Sequence, residues 1–139
     1  MTFMGTGVRR LGRLTLACAC AAGCGGPTLP SVLVNEAFTL APGEAASVSG
    51  TDARLRFISV EGDSRCPADA LCIQGGDALV TINAWSAGTL PRRYDLHTGD
   101  MRPVVHDGLT IALVQLSPYP FSSTTIQQND YRATLRVSF

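Results

Sequence analysis

The last ten residues, DYRATLRVSF (130–139), alternate without a break. Tyr131, Ala133, Leu135, Val137 and Phe139 fall on one side, Arg132, Thr134, Arg136 and Ser138 on the other. A strand sends successive side chains to opposite faces, so a period of two describes a ribbon with one buried and one wet face. The same period recurs upstream. In RLRFISV (54–60), Leu55 and Phe57, with Ser59, oppose Arg54, Arg56, Ile58 and Val60. In DALVTINAWSA (77–87), Ala78, Val80, Ile82 and Ala84 oppose Leu79, Thr81, Asn83 and Trp85. In RRYDLHT (92–98), Arg93, Asp95 and His97 oppose Tyr94 and Leu96. In LTIALVQLS (109–117), Leu109, Ile111, Leu113 and Gln115 oppose Ala112, Val114 and Leu116. Shorter candidates are NEAFTL (35–40), AASVSG (45–50) and the pair Val104-Val105. Gly and Pro punctuate the gaps, as at Pro42-Gly43, Gly50 and Gly88, and no window carries a capped helical period. Seven or eight short strands in about 105 residues predict one all-β domain over 35–139. Its expected form is an antiparallel β-sandwich or a partly closed barrel.

The N-terminus reads as an address. Arg9, Arg10 and Arg13 precede LTLACACAAG (14–23), an apolar, small-residue core too short to span a bilayer, which takes roughly 20 residues. Residues 1–23 are therefore expected to be a signal peptide. The following Ala21-Ala22-Gly23-Cys24 resembles the lipobox of bacterial lipoproteins, although Leu is usual where Ala21 stands. That resemblance implies acylation at Cys24, removal of the signal and a lipid-anchored home in the cell envelope. With Gly25 after the cysteine, it further implies outer-membrane sorting in a Gram-negative host. The alternative is an ordinary secreted protein cleaved near Ala22. The stretch 24–34 is expected to be the lipidated cysteine and a flexible, Pro-punctuated tether.

Cleavage changes the charge. Residues 24–139 hold eight arginines, no lysine and eleven acidic residues, a net charge of about −3. Mild acidity without a basic patch argues against nucleic acid as a partner. It leaves the membrane, through the lipid, and an envelope protein or small ligand as possible partners.

Two cysteines remain, Cys66 and Cys72, in DSRCPADALC (63–72). Outside the cytoplasm such a pair is most simply a disulfide. The C-x5-C spacing differs from the C-x2-C of redox sites and zinc knuckles, and no second Cys/His pair stands nearby. A loop closed this tightly contributes about 2 to 2.5 kcal/mol in the chain-entropy account. A staple can also display something. Asp63, Arg65 and Pro67 form a possible recognition loop, with Arg65 placed like the specificity residue of a protease inhibitor. The plainer alternative is that Asp63 and Arg65 satisfy each other or the loop backbone.

Catalytic patterns are thin. Nothing resembles a nucleophile elbow, and no two carboxylates are singled out by spacing. The chain is read as a non-enzyme with no cofactor. The strongest chemical candidate is YDLHTGDMRPVVHDG (94–108), where Asp95, His97, His106 and Asp107 are possible ligands for zinc or copper. Solvated hairpin polarity is the competing account. Trp85, Tyr119 and Phe121 are a possible recognition patch or the cap on an open sandwich end.

Taken together, Asp63-Ser64-Arg65-Cys66-Pro67 with Cys72, Leu55-x-Phe57-x-x-Val60, and Asp130-Tyr131-x-Ala133-Thr134-Leu135-x-Val137 resemble small bacterial secreted proteins and lipoproteins of unassigned function. The resemblance runs from about residue 36 onward and implies a β domain, an envelope address and no established activity. An aromatic often follows the second cysteine closely in such chains. Ile73-Gln74-Gly75-Gly76 lacks it. The expectation is a membrane-anchored envelope lipoprotein with a non-catalytic binding or structural domain; a metal-binding envelope protein and a protease inhibitor are the alternatives.

Overall fold

The computed structural model describes residues 28–139, which form two open sheets packed face to face. The strands are β1 (Ser31–Val32), β2 (Ala37–Leu40), β3 (Ala45–Val48), β4 (Arg54–Glu61), β5 (Leu79–Trp85), β6 (Arg92–His97), β7 (Val104–His106), β8 (Leu109–Ser117) and β9 (Arg132–Ser138). One sheet has the order β1-β3-β4-β5-β6, the other β2-β9-β8-β7. This is the all-β sandwich the alternation predicts, with two packed sheets that do not close into a barrel. The signal peptide and Cys24 lie outside the described residues.

Two departures concern the start of the domain. The tether expected over 24–34 ends sooner, because Ser31 and Val32 pair with Ser47 and Val48, and Val32 and Val34 pack on the core. That pairing is parallel, the one exception to an otherwise antiparallel arrangement among the described strands. Two residues are too few for a periodic signal, so β1 could not be read in advance.

The alternating faces meet between the sheets. Val80, Ile82 and Ala84 of β5, Leu96 of β6, and Ala133, Leu135 and Val137 of β9 are buried on one shared interior, with Phe57 and Leu55 of β4 at its centre. Burying each of the larger side chains among these stabilises the fold by about 1.5 to 3 kcal/mol. Phe139 departs from the expected pattern. It lies beyond the end of β9 and is exposed.

Two strands break the simple alternation, each by one inserted residue. In β4, Phe57 pairs with Ile82 and Ser59 with Thr81, so Ile58 is extra and Val60 turns inward beside Phe57. In β8, Leu113 pairs with Leu135 and Gln115 with Thr134, so Val114 is extra; Leu116 turns inward and Gln115 outward. The faces expected for Val60, Leu116 and Gln115 are thereby reversed. A β-bulge shifts the side-chain phase by one, which places apolar residues three apart on one face. Phe57/Val60 and Leu113/Leu116 carry that spacing in the sequence.

The pairings also sort the connections. The β4–β5 loop (62–78), the β6–β7 loop (98–103) and the β8–β9 loop (118–131) all emerge at one end of the sandwich. The last of these includes a single 3-10 turn, Gln128–Asp130. Gln128 ties it to β4: its amide donates to the Val60 carbonyl, and its side-chain oxygen accepts from the Val60 N–H at 3.1 Å.

Candidate functional site

Arg65 organises this end. Its guanidinium points inward, with a side chain only 6% exposed. Nε donates to Asp63 Oδ1 at 2.8 Å and Nη2 to Asp63 Oδ2 at 2.7 Å, a two-pronged ion pair. Nη1 donates to the Leu116 carbonyl at 2.8 Å, and Nη2 also reaches the Pro118 carbonyl at 3.0 Å. The Tyr119 ring covers the guanidinium, its centroid 5.4 Å from Cζ. Tyr131 donates its hydroxyl to Asp63 Oδ2 at 2.9 Å. The Asp63–Arg65 pair thus joins the β4–β5 loop to both ends of the β8–β9 loop.

The electrostatics follow from burial and pairing. Burial works against the Asp63 carboxylate, but the Arg65 guanidinium and the Tyr131 hydroxyl outweigh it and hold its pKa below the ordinary value. Burial, with the neighbouring Asp63 charge, pushes the Tyr131 phenol up to about 12. Arg65 is therefore not displayed, contrary to the inhibitor-like reading. The reason is that two carbonyls and a carboxylate wait for its donors inside the fold, where unpaired acceptors are costly. Asp63 and Arg65 instead satisfy each other, the plainer of the two expectations.

Beyond Arg65 the loop is stapled and then seated. Cys66 and Cys72 form the disulfide, with Cα atoms 5.9 Å apart. Ala68 N–H donates to the Pro120 carbonyl at 2.9 Å, and Ser122 donates its N–H and hydroxyl to Asp69 Oδ1 at 2.8 and 3.1 Å. Cys66 N–H donates to the Gly75 carbonyl, and Ser64 N–H to the Asp77 carbonyl at 2.7 Å. What this scaffold leaves outside is apolar. Leu71 and Ile73 flank Cys72 and are fully exposed, at 106% and 105%. Pro67, at the base of the loop, is partly buried. Tyr119 and Phe121, on the β8–β9 loop, are half exposed. A cleft of about 360 Å³ opens between the stapled loop and the β6–β7 loop, lined by Arg65, Gly76, Thr98, Met101 and Tyr119 among others.

The proposed metal ligands do not converge. His97 Nδ1 donates to Asp77 Oδ2 at 2.6 Å, at the loop end. Asp95 accepts from Thr81 at 3.0 Å and from Arg93 at 3.2 Å. His106 is buried with Nδ1 3.1 Å from the Tyr94 hydroxyl, and Asp107 accepts from Ser86. His106 Nε2 lies 3.4 Å from Asp107 Oδ2 without hydrogen-bond geometry. Among the described residues, no group of three or more His, Cys, Asp or Glu side chains is placed to hold a metal. Asp95 and His97 share a strand face as expected, but β7 carries His106 inward, and each residue finds a separate partner.

Asp77 and Tyr131 are the residues that sequence reasoning missed. Asp77 also accepts from Gly99 N–H at 2.8 Å and the Thr98 hydroxyl at 3.0 Å. Burial opposes its charge, yet His97 and these donors bring its pKa down to about 2. The hydrogen bond to Asp77 in turn raises the pKa of His97. Asp77 contributes stability above the ordinary carboxylate pKa of about 4, lost as pH falls toward 2; His97 contributes fully below about 6.5, lost as pH rises past its raised value. Both contributions are complete between about pH 4 and 6.5. The side chains are 48% and 38% exposed, so solvent screening holds the pair to a few tenths of a kcal/mol. The melting temperature of the native chain is expected to exceed that of His97→Gln by about 2 °C at pH 5.5 and to lose that margin by pH 9. A margin that stays constant from pH 5 to 9 would refute the pairing.

Ser64 donates its hydroxyl to the Asp77 carbonyl at 2.9 Å, so its hydroxyl proton is committed to backbone. Comparison with family models, curated proteins and solved structures returns no match.

Proposed function

We propose that this chain is a lipid-anchored protein of the bacterial cell envelope, acylated on Cys24, whose sandwich is a non-catalytic binding domain working through its stapled-loop end. The observation that carries the reading is Leu71 and Ile73, held fully in solvent on a loop that a disulfide, a buried ion pair and the β8–β9 loop all fix in place. A rigid apolar tip loses little entropy on binding, which is what a recognition surface needs. Folding alone gives no reason to hold two large apolar side chains there. The lipobox-like AAGC and the resemblance to envelope lipoproteins supply the address.

The anchor is tested by expressing the full chain in a Gram-negative host with an alkyne-tagged palmitate. Label is expected on the native chain, and on the Cys18→Ser and Cys20→Ser variants, and is expected to vanish with Cys24→Ser. An unlabelled native chain recovered from the soluble periplasm would overturn the anchor.

A further inference from the structure

We infer that the free edge of β6 is a self-association surface, on which a second copy of this chain adds its own β6 in antiparallel register, about a twofold axis beside Tyr94. The surface is separate from the stapled-loop tip, and it stands whether or not Cys24 carries a lipid.

β6 ends the five-stranded sheet, so among the described strands only its β5 side is paired. In an antiparallel ladder, alternate residues turn both backbone groups toward the same neighbour. Thr98 N–H donates to the Ala78 carbonyl at 3.1 Å, and the register runs unbroken from there through Leu96–Val80, Tyr94–Ile82 and Arg92–Ala84. Those residues face β5. The N–H and C=O groups of Arg93 and Asp95, the His97 N–H and the Pro91 carbonyl therefore point off the sheet. The His97 carbonyl is already taken, by Met101 N–H at 3.1 Å. Pro91 has no N–H.

These groups are self-complementary. With Tyr94 opposite Tyr94 of the second copy, Arg93 stands opposite Asp95 and His97 opposite Pro91. Arg93 and Asp95 exchange both backbone hydrogen bonds. At the His97–Pro91 pair, His97 N–H donates to the Pro91 carbonyl. The proline lacks the donor that the occupied His97 carbonyl would otherwise have to receive. No backbone group of this edge is left over.

Side chains select the same register. Arg93 and Asp95 share the outer face and are 55% and 42% exposed. Opposite charges directly across a strand pair attract, and like charges repel. Sliding by two residues sets Arg93 against Arg93 or Asp95 against Asp95. Sliding by one sets an outer-face residue of one copy against an inner-face residue of the other. Leu90, 86% exposed in the β5–β6 turn, comes level with Thr98 of the second copy, where the loop bearing Met101 begins. Charges and a leading proline ordinarily keep foreign strands off an edge. Here they admit a copy of themselves, and the twofold axis sends the two stapled loops to opposite ends, each still free.

The test is sedimentation equilibrium of the full chain in nonionic detergent. The native chain is expected to pass from monomer to dimer as concentration rises. Arg93→Asp and Asp95→Arg each set like charges opposite one another, and each alone is expected to weaken self-association about tenfold or more. Mixed in equal amounts, the two variants are expected to associate as tightly as the native chain, because each then meets opposite charges. The register is read by oxidising differently tagged copies. Arg93→Cys mixed with Asp95→Cys is expected to form an intermolecular disulfide, and neither variant alone. If a charge variant fails to fold, the cysteine variants decide the question. A native chain that stays monomeric up to about 1 mM overturns the inference. So does a mixture of charge variants that associates no more tightly than its components, or cysteine variants that cross-link as well alone as mixed.

Discussion

Arg65→Ala is expected to cost about 3 to 5 kcal/mol of stability, the range found when one partner of a buried ion pair is removed. The loss has three sources. Asp63, with its side chain 11% exposed, keeps only the Tyr131 hydroxyl and the Arg65 N–H as donors. The Leu116 and Pro118 carbonyls lose theirs. Tyr119 loses the cation it covers. Arg65→Lys keeps the charge but not the fork, and a point-charge ammonium cannot meet a carboxylate and two carbonyls at once. It is expected to recover less than half of the loss. In a double-mutant cycle, Asp63→Ala with Arg65→Ala is expected to cost less than the two single variants added together, by about 2 kcal/mol. Urea titration of the four chains measures this directly. An Arg65→Ala variant within 1 kcal/mol of the native chain would mean that the guanidinium sits in solvent, and the account of this end would fail with it.

Gly76→Ala is expected to lose about 3 kcal/mol and to detach the stapled loop locally. Gly76 has φ of +69°, where a side chain costs about 1 kcal/mol or more. Space makes it worse. An added Cβ would sit against the Ser64 carbonyl, 2.6 Å from its carbon and 3.0 Å from Arg65 Cα. Those are backbone atoms and cannot swing aside. The strands of the loop would have to part, weakening the Ser64–Asp77 and Cys66–Gly75 hydrogen bonds, each contributing about 1 kcal/mol. Gly75→Ala is the control, since a Cβ there meets nothing within 4 Å. Hydrogen exchange of Ser64 and Cys66 should accelerate in Gly76→Ala and stay native in Gly75→Ala. Equal behaviour of the two variants would show that the close approach is absent.

Much of the sandwich was legible in advance because strand alternation is a local property. β5, β6 and β9 bury the residues their period of two assigns to one face. β4 and β8 misled only past Ile58 and Val114, where one inserted residue inverts the phase. The apolar spacing of three after each bulge was visible, but it is weighty only once the register with β5 and β9 is known. The disulfide was legible by elimination, since the extracytoplasmic address expected from the N-terminus would leave Cys66 and Cys72 for each other. The site was less legible. Asp63 and Arg65 were singled out, yet nothing local says whether an arginine beside a cysteine turns outward or in.

Local pattern therefore decided the class of fold, the staple and the turn-rich loops, since each follows from residues a few positions apart. Tertiary structure alone decided the partners. Tyr131 reaches Asp63 across 68 residues, Arg65 reaches the Leu116 carbonyl across 51, and His97 finds Asp77 instead of His106 or Asp107. Those contacts exist because three loops close at the same end of two packed sheets. Which side chains then meet depends on strand order and register, quantities that no local window contains.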